Sequence, residues 1–306
     1  MSNIVKSNAV DTVERAAEAL ARGGLIGMPT ETVYGLAGSA ANEQALAKIF
    51  DVKGRPIGHP LIVHLSSLDE LDRYALSVPQ AAVALIGACW PGPLTVLLQR
   101  SRHVSDLITG NRSTVAIRIP ANECARSIIA MHGHAVAAPS ANRFGHVSPT
   151  TAQHVLDDLG EHVDLIVDDG PCTIGVESTI IDFTSPVPQL LRPGGFALED
   201  LEELMGIHVA APEGESRASG MLESHYAPQG KVLLVNSLSE AKSVLSAHPE
   251  ARLISHWESL PLYAASLYAQ MRQADHDGVP LIVAITPAPS GLGRAICDRL
   301  KKASHP

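Results

Sequence analysis

Between residues 208 and 230 the chain loses its periodicity. HVAAPEGESRASGMLESHYAPQG is rich in Gly, Pro, Ser and Glu, sustains neither a helical nor a strand repeat, and reads as a linker. It divides 306 residues, enough for two domains, into parts of different character. After it, KVLLV (231–235), RLISHW (252–257) and PLIVAI (280–285) alternate with helical patterns at 238–247, 259–276 and 291–303. That alternation predicts a small Rossmann-like three-layer domain over 231–306. Before the linker, over 1–207, short strands and helices mix without strict alternation. This predicts an α/β domain on a twisted mixed sheet rather than a doubly wound one.

In the first domain, helices are expected at 9–22 (stopped by Gly23-Gly24), 42–52 (capped by Asn42), around 67–75 and 79–89, and at 122–132, 151–159 and 198–206. Strands are expected at 25–28, 61–65, 94–98, 114–119, 135–142, 163–168, 177–183 and 188–192. Apolar runs stop well short of the ~20 residues of a membrane span. The N-terminus MSNIVKSNAV lacks the apolar core of a secretory signal. Cys89, Cys124, Cys172 and Cys297 are scattered with no CxxC pair, which argues against structural zinc and fits a reducing cytoplasm. A net charge of −9 argues against a protein that grips long nucleic acid by its backbone. It leaves room for a nucleotide pocket with a few local cations.

Several predicted strands end in small polar residues. Thr30-Glu31-Thr32 in PTETVYGL follows the strand at 25–28, with Gly35 letting backbone approach a ligand; a capped strand-to-helix turn would look the same. Lys53-Gly54-Arg55-Pro56 places two cations in a stiffened loop, and His64 lies on the apolar strand that leaves it. In TVAIRIP, alternation puts Val115, Ile117 and Ile119 on one face and Thr114, Ala116 and Arg118 on the other. An arginine on such a strand needs an anionic partner, either a substrate carboxylate or an internal Asp or Glu. Ser140 and Asn142 in PSAN, Ser148, the loop from Gly175 to Thr179, and Arg192 add hydroxyl and cation donors at strand ends. Gly291 and Gly293 before the last helix suit either a tight turn or a phosphate cradle. No Walker loop, HExxH or GxSxG nucleophile is present, so the expected chemistry is positioning and electrostatics.

PTETVYGL, KGRP followed by PLIVHL, WPGPLT, TVAIRIP, APSAN, GVESTI and LLRPG, in that order, resemble the YrdC-like domain of L-threonylcarbamoyladenylate synthases. SHYAP and GLGRAICDRL resemble the two-domain form of that family. The resemblance implies a twisted sheet around a large concave cavity. It implies an enzyme that joins L-threonine, bicarbonate and ATP into threonylcarbamoyl-AMP and pyrophosphate, for threonylcarbamoyladenosine modification of tRNA. Thr32, His64, Arg118, Ala138 and Ser178 would line the threonine site, with Arg118 on the carboxylate. Lys53, Arg55, Thr114, Ser140, Asn142, Ser148 and Arg192 would hold ATP, with Lys53 and Arg55 as the catalytic cations. Tyr226 would close over the nucleotide, making the linker a lid. His59 stands where many members have Asn, so its donation to phosphate would vary with pH. Mg2+ would arrive with ATP rather than in a protein cage. The implied partners are ATP, threonine, bicarbonate, a downstream tRNA threonylcarbamoyl transferase complex and a weak tRNA contact, in the cytoplasm and away from membranes. Two rivals are a carbamoyl-adenylating maturation factor, whose Cys-rich zinc motifs and acylphosphatase-like segment are missing here, and a double-stranded RNA-binding module, which the acidic balance opposes.

Overall fold

The computed structural model describes residues 3–214, 217–221, 226–255 and 259–305. Ser224 and His225 of SHYAP, and residues 256–257 of the strand expected at 252–257, lie outside the described residues.

The described strands are β1 (Ile4–Lys6), β2 (Ile26–Met28), β3 (Gly35–Ser39), β4 (Ile62–His64), β5 (Leu94–Gln99), β6 (Thr114–Arg118), β7 (Val136–Ala137), β8 (Leu165–Asp168), β9 (Thr179–Asp182), β10 (Gln189–Arg192), β11 (Lys231–Val235), β12 (Arg252–Ile254) and β13 (Leu281–Ile285). The helices are α1 (Thr12–Ala21), α2 (Glu43–Lys53), α3 (Leu71–Tyr74), α4 (Gln80–Cys89), α5 (Asp106–Thr109), α6 (Glu123–His132), α7 (Ala152–Leu159), α8 (Leu198–Met205), α9 (Leu238–Ala247), α10 (Leu260–His276) and α11 (Leu292–Ala303). The first ten strands form one mixed sheet in the order β1-β8-β2-β3-β7-β4-β6-β5-β9-β10. The last three form a parallel sheet, β11-β13-β12, flanked by α9, α10 and α11. Both architectures match the sequence expectation.

Two local expectations fail for physical reasons. PTETVYGL does not turn into a helix. After Thr30 the chain folds back, and Gly35–Ser39 pairs antiparallel with β2 and, through Gly38 and Ser39, with β7. A Cβ at Gly38 would meet Leu25 at 3.0 Å, so the strand needs glycine to lie so close. The strand expected at 135–142 is only two residues long, because Pro139 cannot donate to the ladder and PSAN peels away from it. The residues that peel away carry the polar side chains of the site.

Capping explains how α2 delivers Lys53. The Asn42 side chain accepts from the Gln44 and Ala45 amides at 3.0 and 3.1 Å, and Gly54 ends the helix at φ 61°. The last helical residue is thereby aimed at the PSAN loop.

The core of the first domain runs from Leu25 and Tyr34 through Val96 and Ile117 to Leu201 of α8. A second core is shared between the domains. Val33, Val147 and Val176 of the first pack with Tyr226 of the linker and with Tyr263, Leu267, Tyr268 and Met271 of α10. On one face of the large sheet, Ile62, Leu97, Ala116, Ile180 and Leu191 are packed against Ala218 and Met221 of the linker.

Candidate active site

A cavity opens at the sheet ends where β4, β6, β9 and β10 meet the PTETVYGL and PSAN loops. Its wall includes Thr30, Thr32, Arg55, His64, Arg118, Ala138, Ser140, Glu177, Ser178, Arg192 and Tyr226, closed by Ser219 and Gly220 of the linker. About 50 Å³ is open to the centre of a water molecule, room for a few waters but not for a nucleotide.

Arg118 is buried on β6 and held on three sides. Its Nε donates to Gly92 O (3.1 Å), Nη1 to Thr32 Oγ1 (2.8 Å) and Nη2 to Glu31 Oε1 (2.6 Å). The internal partner left open by the strand pattern is therefore Glu31. Both side chains are almost fully buried, and Glu31 Oε2 has no hydrogen-bond partner. A guanidinium has five N–H donors, so two remain on Arg118 for a ligand carboxylate. Glu31 fixes the arginine without filling the cavity.

His64 pairs with Arg118 across the β4–β6 ladder. Burial, reinforced by the Arg118 charge, pushes its imidazole down to about 3, so it is neutral at pH 7. Its Nδ1–H donates to Ile62 O at 3.1 Å, which leaves Nε2 as an acceptor.

Arg55 and Arg192 supply the other cationic wall. Arg192 donates from Nε and Nη2 to Ser178 O and Oγ, at 3.1 and 3.0 Å, and from Nη1 to Ser219 O at 3.2 Å. Arg55 donates to Pro60 O at 3.0 Å and to Ser219 Oγ at 3.3 Å, while its buried Nε has no partner. Burial lowers Arg55 to about 10, and it stays charged at neutral pH. Two arginines thus converge on a neutral linker serine, where an anion would satisfy them better.

A family profile described as "Telomere recombination" matches residues 18–194, and one described as "Threonylcarbamoyl-AMP synthase, C-terminal domain" matches residues 196–305. The threonylcarbamoyl-AMP synthase of Pyrococcus abyssi is 39% identical over 94% of this chain and 93% of its own length. That of Bacillus subtilis is 36% identical over 95% and 92%. The chain belongs to the threonylcarbamoyl-AMP synthase family. The structure of P. abyssi Sua5 complexed with L-threonine agrees in fold with a TM-score of 0.93 at 35% identity, covering 98% of this chain and 96% of that one.

Of the residues that the synthase family's motifs point to, the structure gathers Thr32, His64, Arg118, Ala138 and Ser178 on one cavity, joined by Arg55, Ser140, Arg192 and Tyr226. Five others stand off it. Lys53 is buried behind the wall, and its Nζ donates to Ser140 O and Asn142 O, both at 2.5 Å. Burial, and then Arg55 beside it, push Lys53 well below the usual lysine range. Asn142 is buried and donates to Arg143 O and His146 O at 2.9 and 2.8 Å. Ser148 donates to Glu177 Oε1 at 2.7 Å. Thr114 begins β6 at the rim of the face that Ala116 and Arg118 share. His59 lies edge-on to Phe144 with ring centroids 5.5 Å apart. Burial, Arg55 and Arg112 all lower its pKa, so its ring is neutral at pH 7 and the pH-dependent charge expected of it is displaced to acid. Lys53, expected to act on ATP, stands behind the wall while the linker residues Ser219 and Gly220 close the cavity, with its Nζ on backbone carbonyls.

Sequence reasoning placed Glu31 and Glu177 in candidate site stretches without giving either a role, and passed over Ser219. Glu31 and Glu177 each sit beside a hydroxyl residue within the quoted motifs, but their arginine partners are 87 and 122 residues away, so no local signal marks them. A Cβ at Gly293 would strike Ala288 O at 2.2 Å, so the glycine serves close packing of α11.

Proposed function

We propose that this chain condenses L-threonine, bicarbonate and ATP into threonylcarbamoyl-AMP and pyrophosphate. The observation that carries the reading is one cavity lined by Arg118, with two donors to spare, by Arg55 and Arg192, and by a neutral His64. Arg118 takes the threonine carboxylate, held from behind by Glu31. His64 Nε2 accepts from the threonine hydroxyl or amine. Bicarbonate loses hydroxide to give CO2, the deprotonated amine adds to its carbon, and the proton the amine sheds leaves with the hydroxide as water, giving a carbamate. The carbamate oxygen, already anionic, attacks the α-phosphorus in line with departing pyrophosphate, so this step needs no general base. Alignment and cationic neutralisation by Arg55 and Arg192 carry the rate. Lys53 contributes by fixing the loop that bears Ser140 and Asn142.

ATP enters when the linker leaves the cavity, and phosphate oxygens replace Ser219 on Arg55 and Arg192. Mg2+ travels with the nucleotide. Among the described residues no group of three or more His, Cys, Asp or Glu could share a metal, and Glu31 and Glu177 are committed to arginines. Such a donor set suits a cation held by phosphates and water. The intermediate is passed to a tRNA-modifying transferase in the cytoplasm, with at most a weak contact to tRNA itself. Among the described residues no helix is long and apolar enough to cross a membrane.

Incubation with 13C-bicarbonate, threonine and MgATP, followed by rapid mass spectrometry, tests the reading. A labelled threonylcarbamoyl-AMP is expected. Unlabelled AMP alone, or a product that forms without threonine, would refute it.

A further inference from the structure

Among the described residues the C-terminal domain reaches residues of the cavity wall through Arg299, Tyr268 and Lys302. Arg299 of α11 is fully buried and spans two segments of the first domain: Nε donates to Glu177 Oε2 at 2.7 Å, and Nη2 donates to Pro193 O at 3.0 Å. Glu177 immediately precedes Ser178, and Pro193 immediately follows Arg192. Ser178 and Arg192 face each other in the cavity, joined by the hydrogen bonds given above. A single guanidinium therefore clamps the two backbone segments that present them.

Four neighbours make the clamp specific. Tyr268 of α10 donates its hydroxyl to Glu177 Oε2 at 2.9 Å. Ser148 occupies the other carboxylate oxygen, so Glu177 accepts from three side chains belonging to two domains. Arg272 of α10 forks onto Asp158 and also donates to Ser148 O at 3.3 Å, holding the same loop from its far side. Arg299 lies 5.1 Å over the ring of Tyr226, which stacks on Tyr268 with centroids 5.6 Å apart, so the linker aromatic rests on the clamp.

Burying this cluster is costly unless its geometry serves a purpose. An apolar contact would join two domains without desolvating a guanidinium and a carboxylate. What an arginine adds is a rigid fork that fixes two acceptors at once.

We propose that Arg299 and Tyr268 are positioning residues for adenylyl transfer: through Glu177 and Pro193 they set Ser148, Ser178 and Arg192 at the spacing that receives ATP. This deepens the proposed function and rests on it. The C-terminal domain is then a working part of the nucleotide site, although it contributes no side chain to the cavity wall among the described residues. Of the residues assigned to threonine, Ser178 alone adjoins the clamp; Thr32, His64, Arg118 and Ala138 do not touch it, so threonine binding is expected to suffer less than ATP binding.

The test is calorimetric titration of the full-length chain with MgATP and, separately, with L-threonine, for wild type, Arg299→Lys, Tyr268→Phe and Arg294→Gln. Lysine keeps the charge but cannot bridge Glu177 and Pro193 together. Arg294 makes an exposed interdomain pair with Glu199 and serves as a contact remote from the wall. The expected result is an ATP Kd raised about tenfold or more in Arg299→Lys and several-fold in Tyr268→Phe, with threonine Kd within about threefold and Arg294→Gln like wild type. Wild-type ATP affinity in folded Tyr268→Phe and Arg299→Lys would overturn the clamp. So would an equal loss of both affinities tracking a loss of folded protein in Arg299→Lys while folded Tyr268→Phe binds normally. A wild-type chain that binds neither ligand would instead refute the proposed function, and the clamp with it.

Discussion

At the scale of single residues, burial decides which groups are charged. His64 is held at about 3 against an ordinary 6.5, so between those values the unfolded chain takes up a proton that the folded chain refuses. Its contribution to stability is complete above pH 6.5 and is lost as pH falls towards 3. From pH 7 to pH 5 the loss is about 2 kcal/mol. Urea unfolding of His64→Asn should show a correspondingly flatter dependence over that range; an unchanged slope would mean the imidazole titrates normally. Glu177 acts at lower pH. Burial raises its pKa, but Arg299 and Arg192 outweigh burial and hold it at about 2, so its stabilising charge persists above 4.5 and disappears as pH falls through 2. Arg118 was legible as a buried cation from the alternation of TVAIRIP alone. Its partner was not, because Glu31 reaches it across the sheet. Replacing Arg118 with Lys keeps one charge but loses the three-way anchorage. Threonine KM should rise by about two orders of magnitude, roughly 3 kcal/mol, with ATP affinity little changed. A comparable loss of ATP affinity would move Arg118 out of the threonine site.

At the scale of elements, position follows from caps and prolines as much as from strands. The N-terminal cap of α2 was readable from Asn42, but Lys53, read as part of the following loop, ends the helix before Gly54 and lies against two carbonyls of the PSAN loop. Lys53→Ala leaves those carbonyls without their buried donor, at a cost of about 1–3 kcal/mol. The variant should melt several degrees lower, and ATP KM should rise more than threonine KM. Equal effects on both substrates would argue for direct contact with the reacting atoms instead. What the sequence concealed was β3, whose Gly35-Leu36-Ala37-Gly38 carries little strand propensity. It forms because β2 and β7 offer it two ladders at once. The shortening of β7 had a local signal that the strand reading passed over, since Pro139 cannot donate to the ladder.

At the scale of the whole molecule, the composition break at 208–230 disclosed two domains but not how they meet. The strand–helix alternation after it gave the parallel three-stranded sheet directly. The shared core could not be inferred, since Val33, Val147 and Val176 read as ordinary apolar residues of the first domain, and only tertiary packing sets them against α10. Cutting the chain near Gly214 would expose that face and remove both Tyr226 and the Arg299 clamp. The remaining domain keeps its own core and should fold, with a lower Tm and an ATP affinity reduced at least tenfold; unchanged ATP binding would contradict the roles given to linker and C-terminal domain. The most direct measurement of the central claim is pyrophosphate release by the purified full-length chain supplied with ATP, Mg2+, bicarbonate and L-threonine, each omitted in turn. The account predicts release that requires threonine and bicarbonate together. Release that persists without either, or that appears only with carbamoyl phosphate, would contradict it.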